Sequence, residues 1–164
     1  MLREIEERAA EAAQKLVERL ILEKRTLALA ESCTGGLVSE LVTRVSGASS
    51  VLWGSFVCYS PEAKEQMLHI DGGLLARYGL VSRETAREMA LGAFHASGVS
   101  LAAAVTGLAG PLGDGQGLPV GTVWIAVTNK SKTVEKEFRF RGSRAEVRMQ
   151  AAASVLGELL TLKP

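Results

Sequence analysis

The sequence predicts an α/β fold: one three-layer α/β/α domain spanning residues 1–164, with a mixed sheet that contains a C-terminal antiparallel hairpin. Three observations predict it. Short apolar runs of strand length alternate with segments of helical periodicity. The first such run passes through a glycine-bounded loop directly into a helical pattern, a strand, loop, helix unit. Near the C-terminus two strand-like runs follow each other with no helix between them. A chain of 164 residues buries roughly 70% of the surface that its unfolded form exposes, so one core suffices.

The elements follow in order. Ile5, Ala9, Ala12, Leu16, Val17, Leu20 and Ile21 recur at helical spacing with charged residues between them, and this helix is expected to cover one sheet face. Residues 26–30 form a strand that ends in Ser32-Cys33-Thr34-Gly35-Gly36, and the pattern Leu37, Val38, Leu41, Val42, Val45 makes the next helix. Residues 51–59, rich in β-branched and aromatic side chains, make a second strand. Ser60-Pro61 then opens a short helix, since proline suits its first position. Asp71-Gly72-Gly73 reads as a turn before a short helix over 74–78, and Ser82 as the N-cap of a longer one that carries Met89, Leu91, Ala93 and Phe94.

Residues 101–106 are a buried-type strand, followed by a loop over 107–119 with five glycines and two prolines, too long to be only a connector. Residues 120–128 and 133–140 make the hairpin, with Val134, Phe138 and Phe140 facing inward and Lys136 interrupting their row. Ser143-Arg144-Ala145-Glu146 is a capping box opening a last helix with Val147, Ala151, Val155, Leu156, Leu159 and Leu160 on one face.

Bulk properties exclude several classes. Nineteen basic against 18 acidic side chains leave a net charge of +1, so neither nucleic acid nor an anionic membrane is an expected partner. Cys33 and Cys58 are too few and too far apart for a disulfide framework or a zinc cluster, and no metal or cofactor is expected. No signal peptide or membrane-spanning run is recognised, so the expected location is the cytoplasm and the Asn129 sequon carries no meaning. Several apolar helix faces point to self-association, as a dimer or trimer.

Three segments carry chemistry. The turn after the first strand offers small residues and free N–H groups at a helix N-terminus, where a developing oxyanion is favoured; on local grounds a plain helix cap is the commoner meaning of Ser32 or Thr34. It matches neither the Walker loop nor the nucleophile elbow. His69 and His95 sit among apolar helical residues, which argues against a Ser-His triad. In Tyr59-Ser60-Pro61-Glu62-Ala63-Lys64 a tyrosine ends a strand and a lysine follows within the next helical turn. Lys64 can act as a base if burial lowers its pKa and Tyr59 can relay the proton, though a solvated surface lysine is an equal alternative. Thr106-Gly107-Leu108-Ala109-Gly110-Pro111 again follows a strand. Arg139, Arg141, Arg144 and Arg148 gather near the last strand-to-helix junction and suit a phosphate or carboxylate, or form a solvated basic face. A rival nucleophile is Cys33, whose thiol at a helix N-terminus would be activated.

Together these segments resemble the C-terminal domain of the CinA family, also found as stand-alone nicotinamide-nucleotide amidases of the PncC type. The resemblance covers nearly the whole chain. It is carried by Ala30-Glu31-Ser32-Cys33-Thr34-Gly35-Gly36, the Tyr59 to Lys64 and Thr106 to Pro111 segments, Pro119-Val120-Gly121-Thr122-Val123-Trp124 and residues 144–150. It implies hydrolysis of the carboxamide of nicotinamide mononucleotide to nicotinic acid mononucleotide and ammonia, without metal. Ser32 would be the nucleophile, Lys64 its base and Tyr59 an aid to proton transfer. Cys33, Thr34, Gly35, Gly36, Thr106 and Gly107 would line the substrate site, and Arg144 or Arg148 would hold the phosphate. A nucleotide-binding or regulatory module of the same family with little turnover is the alternative. The sequence departs from the family at Ser60-Pro61, Leu108, Leu112 and Leu118, the last three on the loop expected to touch substrate. No activity of the large N-terminal domain of full CinA proteins is carried over to these residues.

Overall fold

Strict alternation along the strands divides the sheet into two unlike faces. In the computed structural model, which describes residues 1–163, the strands are β1 (Leu27–Glu31), β2 (Leu52–Val57), β3 (Leu101–Gly107), β4 (Thr122–Asn129) and β5 (Thr133–Arg139). They lie in the order β2-β1-β3-β4-β5. β1 runs parallel to both neighbours, and β3, β4 and β5 are antiparallel in sequence. This is the mixed sheet with a C-terminal hairpin that the sequence predicts.

Leu27, Leu29, Val105, Ile125 and Val127 face one helical layer, made of α1 (Leu2–Glu23), α2 (Leu37–Thr43) and α6 (Arg144–Thr161). The fully buried apolar strand residues of the opposite face are all alanine: Ala28, Ala30, Ala102, Ala104 and Ala126. Small side chains there admit α5 (Arg83–Ser97), which lies along β3 and β4 and brings Ala86, Met89, Ala90 and Ala93 to them. α3 (Pro61–Leu68) and α4 (Gly72–Tyr78) complete that layer.

The first helix differs from expectation in its partner. It packs chiefly on α6 and then on α2 rather than directly over the sheet. The wide apolar face of α6 already covers β3 and β4, and its other flank receives the α1 stripe. Arg19 seals the join, donating from Nη1 to Leu160 O (2.8 Å) and from Nη2 to Leu162 O (2.7 Å) at the carbonyl end of α6.

Local signals set the element ends. Ser60 accepts from Ala63 N with Pro61 in the first turn of α3, and Ser82 accepts from Thr85 N. The Ser143 and Glu146 capping box is complete. The Asp71-Gly72-Gly73 segment is a correction: its glycines open α4, because the Asp71 carbonyl accepts from Leu74 and Leu75. Lys136, the interruption in the β5 row, meets Glu158 of α6 at 2.7 Å. The last helix of the sequence reading thus supplies the partner that the strand pattern lacked.

The chain leaves β1 through α2 on one face to reach β2, then returns through α3, α4 and α5 on the other face to β3. That reversal opens a crevice at the carboxyl ends of β1 and β3, where ligands bind in open α/β sheets. No helix among the described residues is long and apolar enough to cross a membrane.

Candidate active site

A cleft of about 800 Å³ occupies this crevice. Ser32 and Cys33 from the end of β1, Tyr59 after β2, Lys64 from α3, Thr106 and Gly107 from the end of β3, and Arg144 at the start of α6 all line it. Segments remote in sequence meet there because β1 lies between β2 and β3 in the sheet.

The nucleophile candidate and the base candidate touch. Lys64 Nζ lies 3.2 Å from Ser32 Oγ and donates to Cys58 O at 2.8 Å. Both side chains are buried, Lys64 to 1% exposure. Among the described residues no carboxylate lies within ion-pair distance of Lys64. Burial therefore pushes the ammonium pKa below its ordinary value and favours the neutral amine.

Cys33 lies beside Ser32 but is a poor nucleophile. Burial drives its thiol pKa up to about 12, the opposite of the activation that a cysteine enzyme needs. Neither histidine lines the cleft. Among the described residues no three His, Cys, Asp or Glu side chains gather in a way that could hold a metal ion.

The turn itself corrects the expectation that all its N–H groups await a ligand. Glu31, 1% exposed, turns its carboxylate into the start of α2. It accepts from Thr34 Oγ1 (2.7 Å), Gly36 N (3.0 Å), Val38 N (3.0 Å), Ser39 N (2.9 Å) and Ser55 Oγ (3.1 Å). An internal anion thus already occupies the helix N-terminus. Gly35 N donates to Ser32 O and Ser32 N to Val105 O. Among the described residues, that leaves the Cys33 and Thr34 N–H groups as the turn's two donors without a partner. Thr34, Gly35 and Gly36 do not line the cleft; they shape the turn from behind.

Two further side chains, Tyr59 and Arg148, stand differently from expectation. Tyr59 Oη accepts from Arg144 Nη2 at 3.0 Å instead of touching Lys64 or Ser32. Arg144 also donates from Nη1 to Gly110 O at 2.8 Å, joining α6 to the long loop at the cleft mouth. Arg148 is turned away from the cleft: its Nε donates to Cys33 O (3.1 Å) and its Nη2 to Thr34 O (2.7 Å). Carbonyls of the turn, lying between α6 and β1, attract that fork. Thr106 lines the cleft while its hydroxyl donates to Leu80 O at 2.7 Å.

Two residues escaped the sequence reading. Glu31 stood inside the motif, but its five donors come from a turn, a helix and β2, and only folding assembles them. Arg77, exposed on the opposite wall, places its guanidinium 5.1 Å from the Tyr78 ring centroid and makes no ion pair among the described residues. Its adjacency to an aromatic at a helix end was the available signal.

The CinA C-terminal domain family model matches residues 9–163. A CinA-like protein of Geobacter sulfurreducens is 47% identical over 141 residues, covering 85% of this chain and 34% of that protein. The chain therefore spans about a third of the length of the curated relatives it matches. Among solved structures, a competence/damage-inducible protein of Agrobacterium tumefaciens superposes with a TM-score of 0.90 at 35% identity, covering 93% of this chain and 94% of that one. A competence-damaged protein (CinA) superfamily member of Escherichia coli superposes with a TM-score of 0.90 at 32% identity, over 93% and 88% of the two chains.

Proposed function

The chain belongs to the CinA C-terminal domain family, and from that premise we propose that it is an amidase that hydrolyses the carboxamide of nicotinamide mononucleotide to nicotinic acid mononucleotide and ammonia. The observation that carries the reading is the buried pair of Ser32 Oγ and Lys64 Nζ, 3.2 Å apart and, among the described residues, without a neutralising carboxylate. A lysine held neutral beside a serine hydroxyl is the base that such a nucleophile requires.

In the first step neutral Lys64 takes the Ser32 proton as Oγ bonds to the carboxamide carbon. The Cys33 N–H, on the cleft wall, receives the oxyanion, worth about 3 kcal/mol in the transition state. The C–N bond then breaks, Lys64 returns its proton to the departing nitrogen, and ammonia leaves an ester on Ser32. Water, deprotonated by Lys64, attacks the ester; the C–Oγ bond breaks, Ser32 regains its proton, and the acid product leaves. Arg144, steadied by Tyr59 and Gly110, faces the phosphate, with Arg77 on the facing wall.

Ammonia release measured side by side for wild type and Ser32→Ala tests the assignment. The variant is expected to lose at least about a thousandfold in kcat while staying folded. Undiminished turnover in Ser32→Ala would remove Ser32 as nucleophile. Calorimetric binding of the nucleotide by wild type with no ammonia released would make the protein a binding module instead.

A further inference from the structure

Two opposite charges hold the turn that carries Ser32, and they do not meet. From one side the Glu31 carboxylate gathers N–H and hydroxyl groups. From the other, the Arg148 guanidinium takes the Cys33 and Thr34 carbonyls. It also lies over Gly35, with Nη2 3.6 Å from where a Cβ would stand. Among the described residues neither group has an ion-pair partner, so each charge is met by hydrogen bonds with neutral groups alone.

Such a turn needs holding. Gly35 (φ 59°) and Gly36 (φ 97°) both occupy the left-handed region, and glycine there is free to leave it.

We propose that Glu31 and Arg148 are positioning residues for the nucleophile, a two-sided clamp that keeps Ser32 at Lys64. Arg148 accordingly does not bind the substrate's phosphate. One turn earlier on the same helix, Arg144 reaches the cleft instead, so α6 sends one arginine to the ligand and one to the turn. The proposal rests on the reading of Ser32 as nucleophile.

The test uses a probe without phosphate or amide, phenylmethanesulfonyl fluoride. Ser32 Oγ bonds to sulfur, the S–F bond breaks, fluoride leaves, and the serine proton passes to Lys64. Intact-protein mass spectrometry follows labelling of wild type, Ser32→Ala, Arg148→Met, Arg148→Lys and Glu31→Gln, alongside kcat and KM for ammonia release. Wild type is labelled and Ser32→Ala is not. Arg148→Met and Glu31→Gln are expected to label at least about tenfold more slowly, with kcat lowered in parallel and KM within about twofold. Arg148→Lys, which keeps the charge but reaches only one carbonyl, falls between and supplies the reading if the methionine variant fails to fold. Wild-type labelling of the Arg148 variants, or a raised KM at unchanged kcat, would overturn the clamp alone. Equal labelling of wild type and Ser32→Ala would overturn the nucleophile reading and the clamp with it.

Discussion

Lys64 is the largest side chain that the fold buries completely, and among the described residues it has no carboxylate partner. Folding favours the neutral amine, whereas the unfolded chain binds a proton up to the ordinary value near 10.5. Unfolding therefore takes up a proton throughout the window between the lowered folded value and 10.5, and the Lys64 contribution to stability rises with pH across it. Lys64→Met keeps the length of the side chain and removes the buried amine. It is expected to abolish ammonia release while stabilising the fold by about 1 kcal/mol near neutrality, a common pattern where a site trades stability for function. Thermal denaturation from about pH 6 to about pH 10 should show that advantage shrinking as pH rises. A methionine variant less stable than wild type at every pH would contradict the account of Lys64. Cys33 shows the other outcome of burial, since the same desolvation that favours the neutral amine holds the thiol protonated.

Among the elements, α3 carries the proposed base and its seat depends on a glycine elsewhere. Gly92 in α5 passes so close to the end of α3 that a Cβ there would stand 2.6 Å from Leu68 O. Leu68 is one turn beyond Lys64, so an intrusion at α5 displaces the helix that presents the amine. Helix propensity alone predicts that Gly92→Ala stabilises α5 by about 1 kcal/mol. The close crossing predicts the reverse, a loss of about 1 to 3 kcal/mol by overpacking together with slower ammonia release. The sign of the change in Tm decides between them. The crossing was invisible in the sequence, where Gly92 was one small residue in an apolar helix. The capping box of α6 and the proline start of α3 were legible, because each is written in residues three or fewer apart.

Across the whole molecule, the sheet sets a face of alanines against α5 and a face of larger residues against α1, α2 and α6. Ala102→Leu on the alanine face is expected to destabilise by about 1 to 3 kcal/mol in denaturant titration, since α5 has no room to yield. An unchanged midpoint would mean that α5 is not seated against β3 as described. The runs over 26–30 and 101–106 were legible as buried strands, but their uniform hydrophobicity hid which face was small and which helix layer it met. By itself the sequence determined the order of strands and helices, the caps, the serine turn, and the resemblance that set Tyr59, Lys64 and Thr106 beside it. All of these rest on neighbours within a few residues or on motifs in a row. Only the tertiary structure decided that Lys64 meets Ser32, that Tyr59 meets Arg144, and that Arg148 reaches across 115 positions to Cys33 rather than to the cleft. The reason is that a hydrogen bond forms within about 3 Å, and only the packing of α3 and α6 against the sheet brings groups so remote in sequence to that distance.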